Sequence, residues 1–324
     1  MSHSTTENTE NEIQQAKHMP KQVFSITGDN KHSALELLHE NTALSKKTLK
    51  DAASKGAVWI DRQSRINSQQ TSKVVRLRRL KKILDVKHRV DFYYQANILE
   101  HQPSAPTLID DSQDYSVWIK PRGMLSQGSK WGDHNALYRW VEMHFQTNSA
   151  SPNQARQCWI VHRLDRATCG LMLLAHTKKM ASELSKLFEK NKVNKTYRAW
   201  VWGQLHSTTQ TITTPIDDKH AVSHITTLNY HKEANASLVE IKIETGRKHQ
   251  IRTHLASINH PIIGDRLHGS DDLDARFASR PDLQLTAFKL EFTDPASGQL
   301  KNYLLKDKEM ALLTNDDLTT EFAP

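Results

Sequence analysis

The sequence predicts an α+β protein in which a mixed, mainly antiparallel sheet is flanked by helices and preceded by a small αα-β module. Paired strand-like segments joined by short turns indicate the antiparallel sheet; they lie at 107–120, 224–244 and 283–303. Apolar residues at helical spacing, from Met180 to Phe188, indicate a helix that covers the sheet. Two capped helical segments before an apolar run at 57–60 indicate the module.

Composition limits the possible classes of protein. The chain of 324 residues can hold one large core and a small appended domain. We find no run near the ~20 apolar residues of a membrane span, and the polar start, 1–21, lacks the apolar core of a signal peptide and predicts a disordered tail. Two cysteines exclude a four-cysteine zinc site and favour a reducing compartment, so we expect a cytoplasmic protein.

Residues 22–89 are predicted to form the small module. Ser33 and Ser45 can each cap a short helix, and Gly56 can end the second one. The net charge of +8 favours a polyanionic partner. Much of the charge lies in one run with a single acid, Asp85; its cations are Lys73, Arg76, Arg78, Arg79, Lys81, Lys82, Lys87 and Arg89.

The basic run has two interpretations. It is either part of an RNA-binding surface, to which lysines of the second helix add, or a solvated basic surface or linker. The arrangement of two helices, a strand and a basic run resembles the alpha-L module shared by a small-subunit ribosomal protein and several RNA-modifying enzymes. That resemblance implies a module that binds RNA.

A second domain is predicted over 90–310, followed by a C-terminal tail at 311–324. It opens with a hairpin, after which Lys120-Pro121-Arg122-Gly123 forms a turn, because proline ends strand pairing and glycine permits tight bends. Asp133 is a candidate cap for a helix carrying Leu137 and Val141 on one face, and Thr177 for the helix with the Met180 stripe.

A loop between two apolar runs carries the first candidate for chemistry. Asp165 lies in His162-Arg163-Leu164-Asp165-Arg166, between runs that end at Val161 and begin at Leu171. Cations on both sides favour the ionised carboxylate, which can act as a nucleophile, a base or an electrostatic stabiliser. The alternative is an ordinary ion pair at the surface.

Two later segments supply possible partners. Tyr197, on a strand-like segment, either packs in the core or faces the same cleft, where it could stack on a planar ring and take part in proton transfer. Arg252 lies on a helix between Ile251 and Leu255, and a partly buried arginine needs a counter-ion such as Asp165. Arg247, at the start of that helix, suits a phosphate or carboxylate there.

Metal binding is not predicted, although the chain has eighteen histidines. His249 and His254 are five residues apart, so they lie on different faces of a helix, unlike the i, i+4 pair of a zinc helix. We expect neither a metal nor a cofactor.

The motifs taken together resemble the RluA family of RNA pseudouridine synthases. They are Lys120-Pro121-x-Gly123, the His162–Asp165 loop, Tyr197 after Lys195, Gly246-Arg247-x-His249-Gln250-Ile251-Arg252, Gly264-Asp265-Arg266-Leu267-x-Gly269 and the last hairpin around Asp294-Pro295. They span about two thirds of the chain, from Val90 to Lys306. Any one motif is weak, whereas the ordered set is specific. The resemblance implies the pseudouridine synthase fold and an isomerase that converts uridine in RNA to its carbon-linked form.

The resemblance also implies roles for individual residues. Asp165 would be the catalytic aspartate that attacks a flipped-out uridine at the uracil ring or the sugar, and Tyr197 would stack on the base and help remove a proton. Arg252 would keep Asp165 ionised. Arg163 would fill the space left by the extruded uridine, and Arg166 would fix the loop or contact RNA. Lys120 and Arg247 would contact the RNA backbone or pack around the site.

Three functions remain open. The first is a site-specific isomerase acting on structured ribosomal or transfer RNA, with no membrane and no obligate protein partner. The second is an RNA-binding or RNA-chaperone protein on the same scaffold, whose role does not need catalysis. The third is an unrelated hydrolase that uses Asp165 with nearby histidines.

Overall fold

The computed structural model describes residues 21–66, 69–145 and 156–320. The predicted tail at 1–21 lies outside the described residues except for Lys21, and so do the last four residues of the predicted tail at 311–324. The chain forms two compact units: Met1–Gln102 with Gln127–Trp140, and Pro103–Ser126 with Val141–Pro324. None of the helices in the described part is long and apolar enough to cross a membrane.

The first unit contains a four-stranded antiparallel sheet. Its strands are β1 (Gln22–Thr27), β2 (Val58–Ile66), β3 (Gln69–Arg76) and β4 (His88–Tyr94), in the spatial order β1-β4-β2-β3. Its helices are α1 (Ala34–Asn41), α2 (Lys46–Ser54) and the short α3 (Ala96–Glu100). Leu38, Leu49 and Phe92 are fully buried in one apolar core. The αα-β order is present, with an additional first strand that the sequence analysis missed.

Local capping explains where α1 and α2 begin. Ser33 accepts a hydrogen bond from the backbone N–H of Glu36, whose carboxylate accepts one from the Ser33 N–H, which completes a capping box. Ser45 caps α2 by accepting a hydrogen bond from the backbone N–H of Thr48, and Gly56 follows α2 at φ +83°. Both predicted caps are confirmed. The first unit extends to Gln102, beyond the boundary predicted at Val90, because β4 crosses that position and pairs with β1 and β2.

One predicted cap is wrong. The helix α4 (Leu137–His144) begins four residues after Asp133. The buried Asp133 carboxylate is occupied by three side chains of the first unit: Oδ2 lies 3.2 Å from Arg76 Nε and 2.6 Å from both Arg78 Nη2 and Tyr138 Oη. A carboxylate neutralised by two guanidinium groups has no need of the helix N–H groups.

The second unit is built on one large mixed sheet. Its strands are β5 (Thr107–Asp111), β6 (Tyr115–Lys120), β7 (Trp159–Ile160), β8 (Cys169–Ala175), β9 (Asn194–Trp202), β10 (Thr209–Ile212), β11 (Ser223–His231), β12 (Ala236–Ile243), β13 (Leu285–Thr293) and β14 (Leu300–Leu304). The main order is β10-β11-β12-β9-β13-β8-β6-β5; β14 pairs with β13 and β7 with β8. Helices α5 (Lys178–Glu189), α6 (Gln250–Ser257), α7 (Asp271–Asp274) and α8 (Asn315–Thr320) accompany it.

The predicted fold class is confirmed: in the described sheets every strand pair except β8 with β13 is antiparallel. The three hairpins occur as β5–β6, β11–β12 and β13–β14. Thr177 caps α5, which buries Met180 and Leu184. At the parallel pair, Gly170 has φ +119°, and a Cβ there would lie 2.3 Å from the backbone of Ala287, so the close approach requires glycine.

Candidate active site

Asp165 lies on the loop between β7 and β8, and the core of the second unit holds that loop from both sides. Ser126 Oγ donates to the carbonyl of Leu164 at 2.7 Å and accepts from its N–H at 2.9 Å. The Thr168 N–H donates to the Asp165 carbonyl at 3.1 Å, which closes a tight turn around the aspartate. The Asp165 side chain keeps 19% of its surface exposed, so it is both fixed and accessible.

His162, at the start of this loop, packs in the protein interior and anchors the loop. Its ring stacks on Phe188 with 4.5 Å between centroids, and its Nε2 accepts the N–H of Leu173 at 2.8 Å. Burial lowers the pKa of His162 to about 3, so the ring is neutral. It fastens the loop to β8 and carries no charge into the site.

Lys120 corrects one prediction. Its side chain is fully buried, and Nζ donates to the carbonyls of Pro121 at 3.1 Å and Met124 at 2.9 Å, with that of Arg166 at 3.5 Å. Burial lowers its pKa to about 7. Lys120 is therefore out of reach of an RNA phosphate. Of the two roles predicted for it, RNA contact and packing around the site, its position fits packing. The Gly123 N–H adds a 2.9 Å bond to the Arg166 carbonyl, so this turn supports the Asp165 loop.

Arg252 lies on α6 between two carboxylates. Its Nε and Nη2 donate to Asp265 at 2.8 and 2.5 Å, and Nη1 reaches Oδ2 of Asp165 at 3.4 Å. Burial lowers the pKa of Arg252, but the two carboxylates, Asp265 first, outweigh burial and leave that pKa raised. The predicted contact with Asp165 exists, while the stronger partner is Asp265, which the sequence analysis did not assign to Arg252.

Arg252 is a charged neighbour of Asp165 as expected, whereas the two arginines that flank Asp165 in sequence are not among its ion-pair partners. The carboxylate Oδ2 lies 3.4 Å from Arg252 Nη1 and 3.9 Å from His249 Nε2. Arg163 and Arg166, its neighbours in sequence, are exposed, and Arg166 Nε donates to the Gly123 carbonyl at 3.3 Å. The positive charge beside Asp165 therefore comes from a buried, fixed guanidinium, not from the exposed side chains that flank it in sequence.

Tyr197 is buried on β9 and lines the same cavity as Asp165. Burial, and after it the charge of Asp165, raises the pKa of its phenol, so the hydroxyl stays protonated at neutral pH. The structure therefore brings together the three predicted catalytic residues, although the first and the last of them, Asp165 and Arg252, are 87 positions apart in the sequence.

The cavity has a volume of about 180 Å³ and an asymmetric lining. Ile243, Leu285 and Tyr197 supply apolar surface, which suits one face of a planar ring. Arg163, Arg247 and Lys248 are exposed residues of the lining, so cations surround the carboxylate where a polyanion would approach. Arg166 is exposed but is absent from the cavity wall.

Gln250 holds the turn that begins α6. Its Oε1 accepts from Thr245 Oγ1 at 2.7 Å and from the Arg247 N–H at 3.0 Å, and its Nε2 donates to the Val222 carbonyl at 2.9 Å. This buried amide ties the turn to β11. Arg247 Nε also donates to the His220 carbonyl at 2.9 Å, so that side chain is partly committed to the protein.

In the first unit the basic run divides into two groups. Arg76 and Arg78 bind the buried Asp133, Arg76 also stacks on Trp59 at 4.3 Å, and Arg89 pairs with Asp91. The others are exposed: Lys73, Arg79, Lys81, Lys82 and Lys87. Arg89 is exposed as well, but its guanidinium is paired with Asp91, so the second group is the part of the run whose exposed charges suit phosphate binding.

Sequence reasoning missed three residues of the site: Asp265, His249 and Gln250. Asp265 and Gln250 carried a signal, since both are polar residues in the motifs quoted above, and Asp265 also follows the apolar pair Ile262-Ile263, which predicts burial. His249 belongs to the same motif but was considered only as a metal ligand; its place beside Asp165 depends on a left-handed backbone at φ 55°, which the sequence does not display. Across the described residues, no group of three His, Cys, Asp or Glu side chains is placed to hold a metal ion.

Comparison with known proteins gives the class. The model of the RNA pseudouridylate synthase family matches residues 114–257, which include Asp165, Tyr197 and Arg252. An RNA pseudouridine synthase of Helicobacter pylori, described as uncharacterised, is 30% identical over 221 residues, which are 60% of this chain and 71% of that protein.

Two further relatives have names that state a substrate. The tRNA pseudouridine synthase C of Pectobacterium carotovorum is 37% identical, with 54% of each chain covered. The ribosomal large subunit pseudouridine synthase D of Nitrosomonas europaea is 32% identical, with 63% of each covered. The chain thus spans about half to about two thirds of these two relatives.

A solved structure agrees in fold. Human RNA pseudouridylate synthase domain containing 1 superposes with a TM-score of 0.52 at 21% identity, covering 68% of this chain and 97% of that one. The family model and the relatives agree on one class of protein, the RNA pseudouridine synthases. The chain belongs to the RNA pseudouridylate synthase family.

Proposed function

We propose that this protein isomerises specific uridines in structured ribosomal or transfer RNA and that Asp165 is its catalytic nucleophile. One observation carries the proposal: the accessible Asp165 carboxylate lies 3.4 Å from a buried guanidinium and shares a cavity with Tyr197. The names of two relatives, which specify transfer RNA and the large ribosomal subunit, support the class of RNA.

The reaction conserves every atom of the uridine. The bond from N1 of uracil to C1′ of the ribose breaks, a bond from C5 to C1′ forms, C5 loses a proton and N1 gains one. A carboxylate can hold the reacting fragment covalently while the base turns, either by attack at C1′ or by addition to the ring. Arg252, whose Nη1 lies 3.4 Å from Oδ2, orients that carboxylate for the attack.

The cavity accounts for the other two site roles. The uridine must leave its stack to reach Asp165, and the face of Tyr197 with Ile243 and Leu285 offers the extruded ring an apolar platform. Because the phenol of Tyr197 is protonated, it would accept the C5 proton only while it donates its own hydroxyl proton to another group. Arg163, exposed beside Asp165, has the length and charge to occupy the gap left in the RNA.

Exposed cations supply the affinity for RNA. Four of them belong to the second unit: Arg163, Arg166, Arg247 and Lys248. Those of the basic run in the first unit are Lys73, Arg79, Lys81, Lys82 and Lys87. Phosphate neutralisation by such groups gives binding that weakens steeply with salt. The first unit, with its two capped helices and the cations of its β3–β4 connection, is accordingly proposed as an RNA-binding module.

The test compares the protein with Asp165→Asn on total RNA labelled with [5-³H]uridine and prepared from cells that lack this gene. Because C5 loses its hydrogen, tritium release reports isomerisation. We expect release from the unaltered protein, none above background from Asp165→Asn, and RNA affinities within about threefold of each other.

Three results would contradict the proposal. Full tritium release by Asp165→Asn would show that another group performs the reaction. RNA binding with no release by the unaltered protein, on RNA that contains unmodified target sites, would favour an RNA-binding or chaperone role. Loss of release on addition of a chelator would favour metal-dependent chemistry, as in the hydrolase alternative.

A further inference from the structure

Two histidines form a hydrogen-bonded pair beside Asp165. His249 Nδ1 lies 3.1 Å from His268 Nε2, and the rings meet edge to face with 5.2 Å between centroids. The other nitrogen of His249, Nε2, lies 3.9 Å from Oδ2 of Asp165. A line of polar groups therefore runs from His268 through His249 to the carboxylate.

The backbone at His249 is held in an unusual conformation. Its φ of 55° and ψ of 20° lie in the left-handed region, which costs free energy for a residue with a side chain, and such residues cluster at functional sites. The clamp made by Gln250 holds the preceding turn in place. His268 is held separately, because its N–H and that of Leu267 donate to Asp265 Oδ1 at 3.1 and 2.9 Å.

The hydrogen-bonding pattern selects one tautomer of His249. If His249 Nδ1 donated to His268, the bare Nε2 lone pair of His249 would face the negative Asp165. If His268 Nε2 donates instead, His249 accepts at Nδ1 and carries its proton on Nε2, where a carboxylate stabilises it. The second arrangement leaves no lone pair opposed to a charge.

We propose that His249 is a positioning residue for the isomerisation: its Nε2–H, set by His268, orients the Asp165 carboxylate together with Arg252. This role rests on the proposed function of Asp165. At 3.9 Å the contact is longer than a hydrogen bond, and it shortens when the flipped uridine closes the cavity, as catalytic contacts commonly do. His249 and Arg252 then hold Oδ2 from two directions, leaving Oδ1 for the attack.

Charged and titratable groups from several elements face His249. Burial lowers its pKa, as do Arg252, His268 and Lys248, whereas Asp165 raises it, and the pKa of His249 is lowered overall from 6.5. The ring is therefore neutral at pH 7. Protonation at lower pH places a second proton on Nδ1, which breaks the hydrogen bond from His268 and puts a positive charge next to the Asp165 carboxylate. That charge weakens the carboxylate as a nucleophile, so we expect the rate to fall on the acid side.

The test uses His249→Asn, since asparagine tolerates the left-handed backbone but is too short to reach Asp165. In single-turnover tritium release we expect the rate constant to fall about tenfold or more, with RNA affinity within about twofold. His249→Gln, which restores a donor on a longer side chain, should recover part of that loss. Below about pH 6.5 the rate constant should fall less with decreasing pH in both variants than in the unaltered protein, because neither amide titrates.

His268 supplies the second arm. His268→Ala should slow the reaction by less than His249→Asn, and the double variant should be no slower than His249→Asn alone, because His268 acts through His249. His224→Gln is the control, since that exposed histidine pairs with Glu244. An unaltered rate and pH profile in His249→Asn, while Asp165→Asn is inactive, would overturn this inference and leave the proposed function standing.

Discussion

Arg252 and Asp265 form a buried, two-pronged ion pair: Nε and Nη2 of the arginine lie 2.8 and 2.5 Å from the two carboxylate oxygens. Both side chains are almost fully buried, so the pair fixes the guanidinium plane. Only Nη1 is left to face Asp165. The carboxylate that we propose as catalytic therefore depends on a second carboxylate, that of Asp265, which is fully buried.

Replacing Asp265 by asparagine should impair both stability and catalysis. The change removes one charge of a buried pair and weakens the acceptor of Leu267 and His268. We expect the free energy of unfolding to fall by about 3 kcal/mol and the rate of isomerisation to fall more than tenfold. Urea denaturation and single-turnover tritium release measure the two effects.

The control is Asp271→Asn. Asp271 also pairs with an arginine, Arg280, but 80% of its side chain is exposed. Exposed pairs contribute under about 1 kcal/mol, so stability and rate should stay near those of the unaltered protein. Equal effects of the two substitutions would refute the special place given to Asp265.

Two substitutions distinguish the contribution of the Tyr197 hydroxyl from that of its ring. Tyr197→Phe keeps the platform and removes the proton donor, so we expect RNA affinity within about twofold and a rate reduced about a hundredfold. Tyr197→Ala removes both and should also weaken the binding of the flipped base. Stopped reactions at several RNA concentrations give the rate and affinity. A fully active Tyr197→Phe would restrict this residue to stacking.

Lys120 predicts how stability depends on pH. Its pKa is about 7 in the folded protein and 10.5 when exposed, so between these values the unfolded chain binds more protons. The free energy of unfolding contributed by Lys120 therefore rises with pH over this range, by at most about 1.4 kcal/mol per unit, and is lost as pH falls towards 7.

Urea denaturation between pH 7 and 10 of the unaltered protein and Lys120→Met isolates this contribution. The difference between them should shift with pH in favour of the unaltered protein. Lys178→Met, which changes an exposed lysine of α5, should show no such shift. A pH-independent difference for Lys120→Met would mean that Lys120 stays charged on its three carbonyls.

Much of the local structure follows from the sequence. Thr107–Asp111 and Tyr115–Lys120 pair as predicted, and the Ser33, Ser45 and Thr177 caps are all present. These features depend on periodicity and on hydrogen bonds within a few residues, which a single sequence displays directly.

The errors concern partners far apart in the chain. Arg76 and Asp133 are 57 positions apart, and neither composition nor period indicates that they meet. Lys120 looked like a phosphate ligand because its charge is visible in the sequence and its burial is not. The arginines that flank Asp165 were predicted to lie against its carboxylate because they are close to it in sequence. Adjacency in a loop does not by itself bring two side chains into contact.

The division of the basic run predicts two kinds of variant. Changing Arg79, Lys81 and Lys82 to glutamine should leave stability nearly unchanged. The plot of log affinity against log salt should become less steep by about 2 to 3, roughly one for each phosphate that is no longer neutralised. Arg76→Gln should instead destabilise the first unit, because buried Asp133 is deprived of a partner. Filter binding over a salt series with denaturation curves separates these outcomes. An unchanged slope in the triple variant would place the RNA elsewhere.

The central claim is that Asp165 performs uridine isomerisation, and mapping pseudouridine in cells tests it most directly. Ribosomal and transfer RNA would be mapped from cells lacking the gene and from the same cells given the unaltered protein or Asp165→Asn at equal abundance. We predict that specific positions lose pseudouridine in the deletion and regain it only with the unaltered protein. Restoration of those positions by Asp165→Asn would contradict the account.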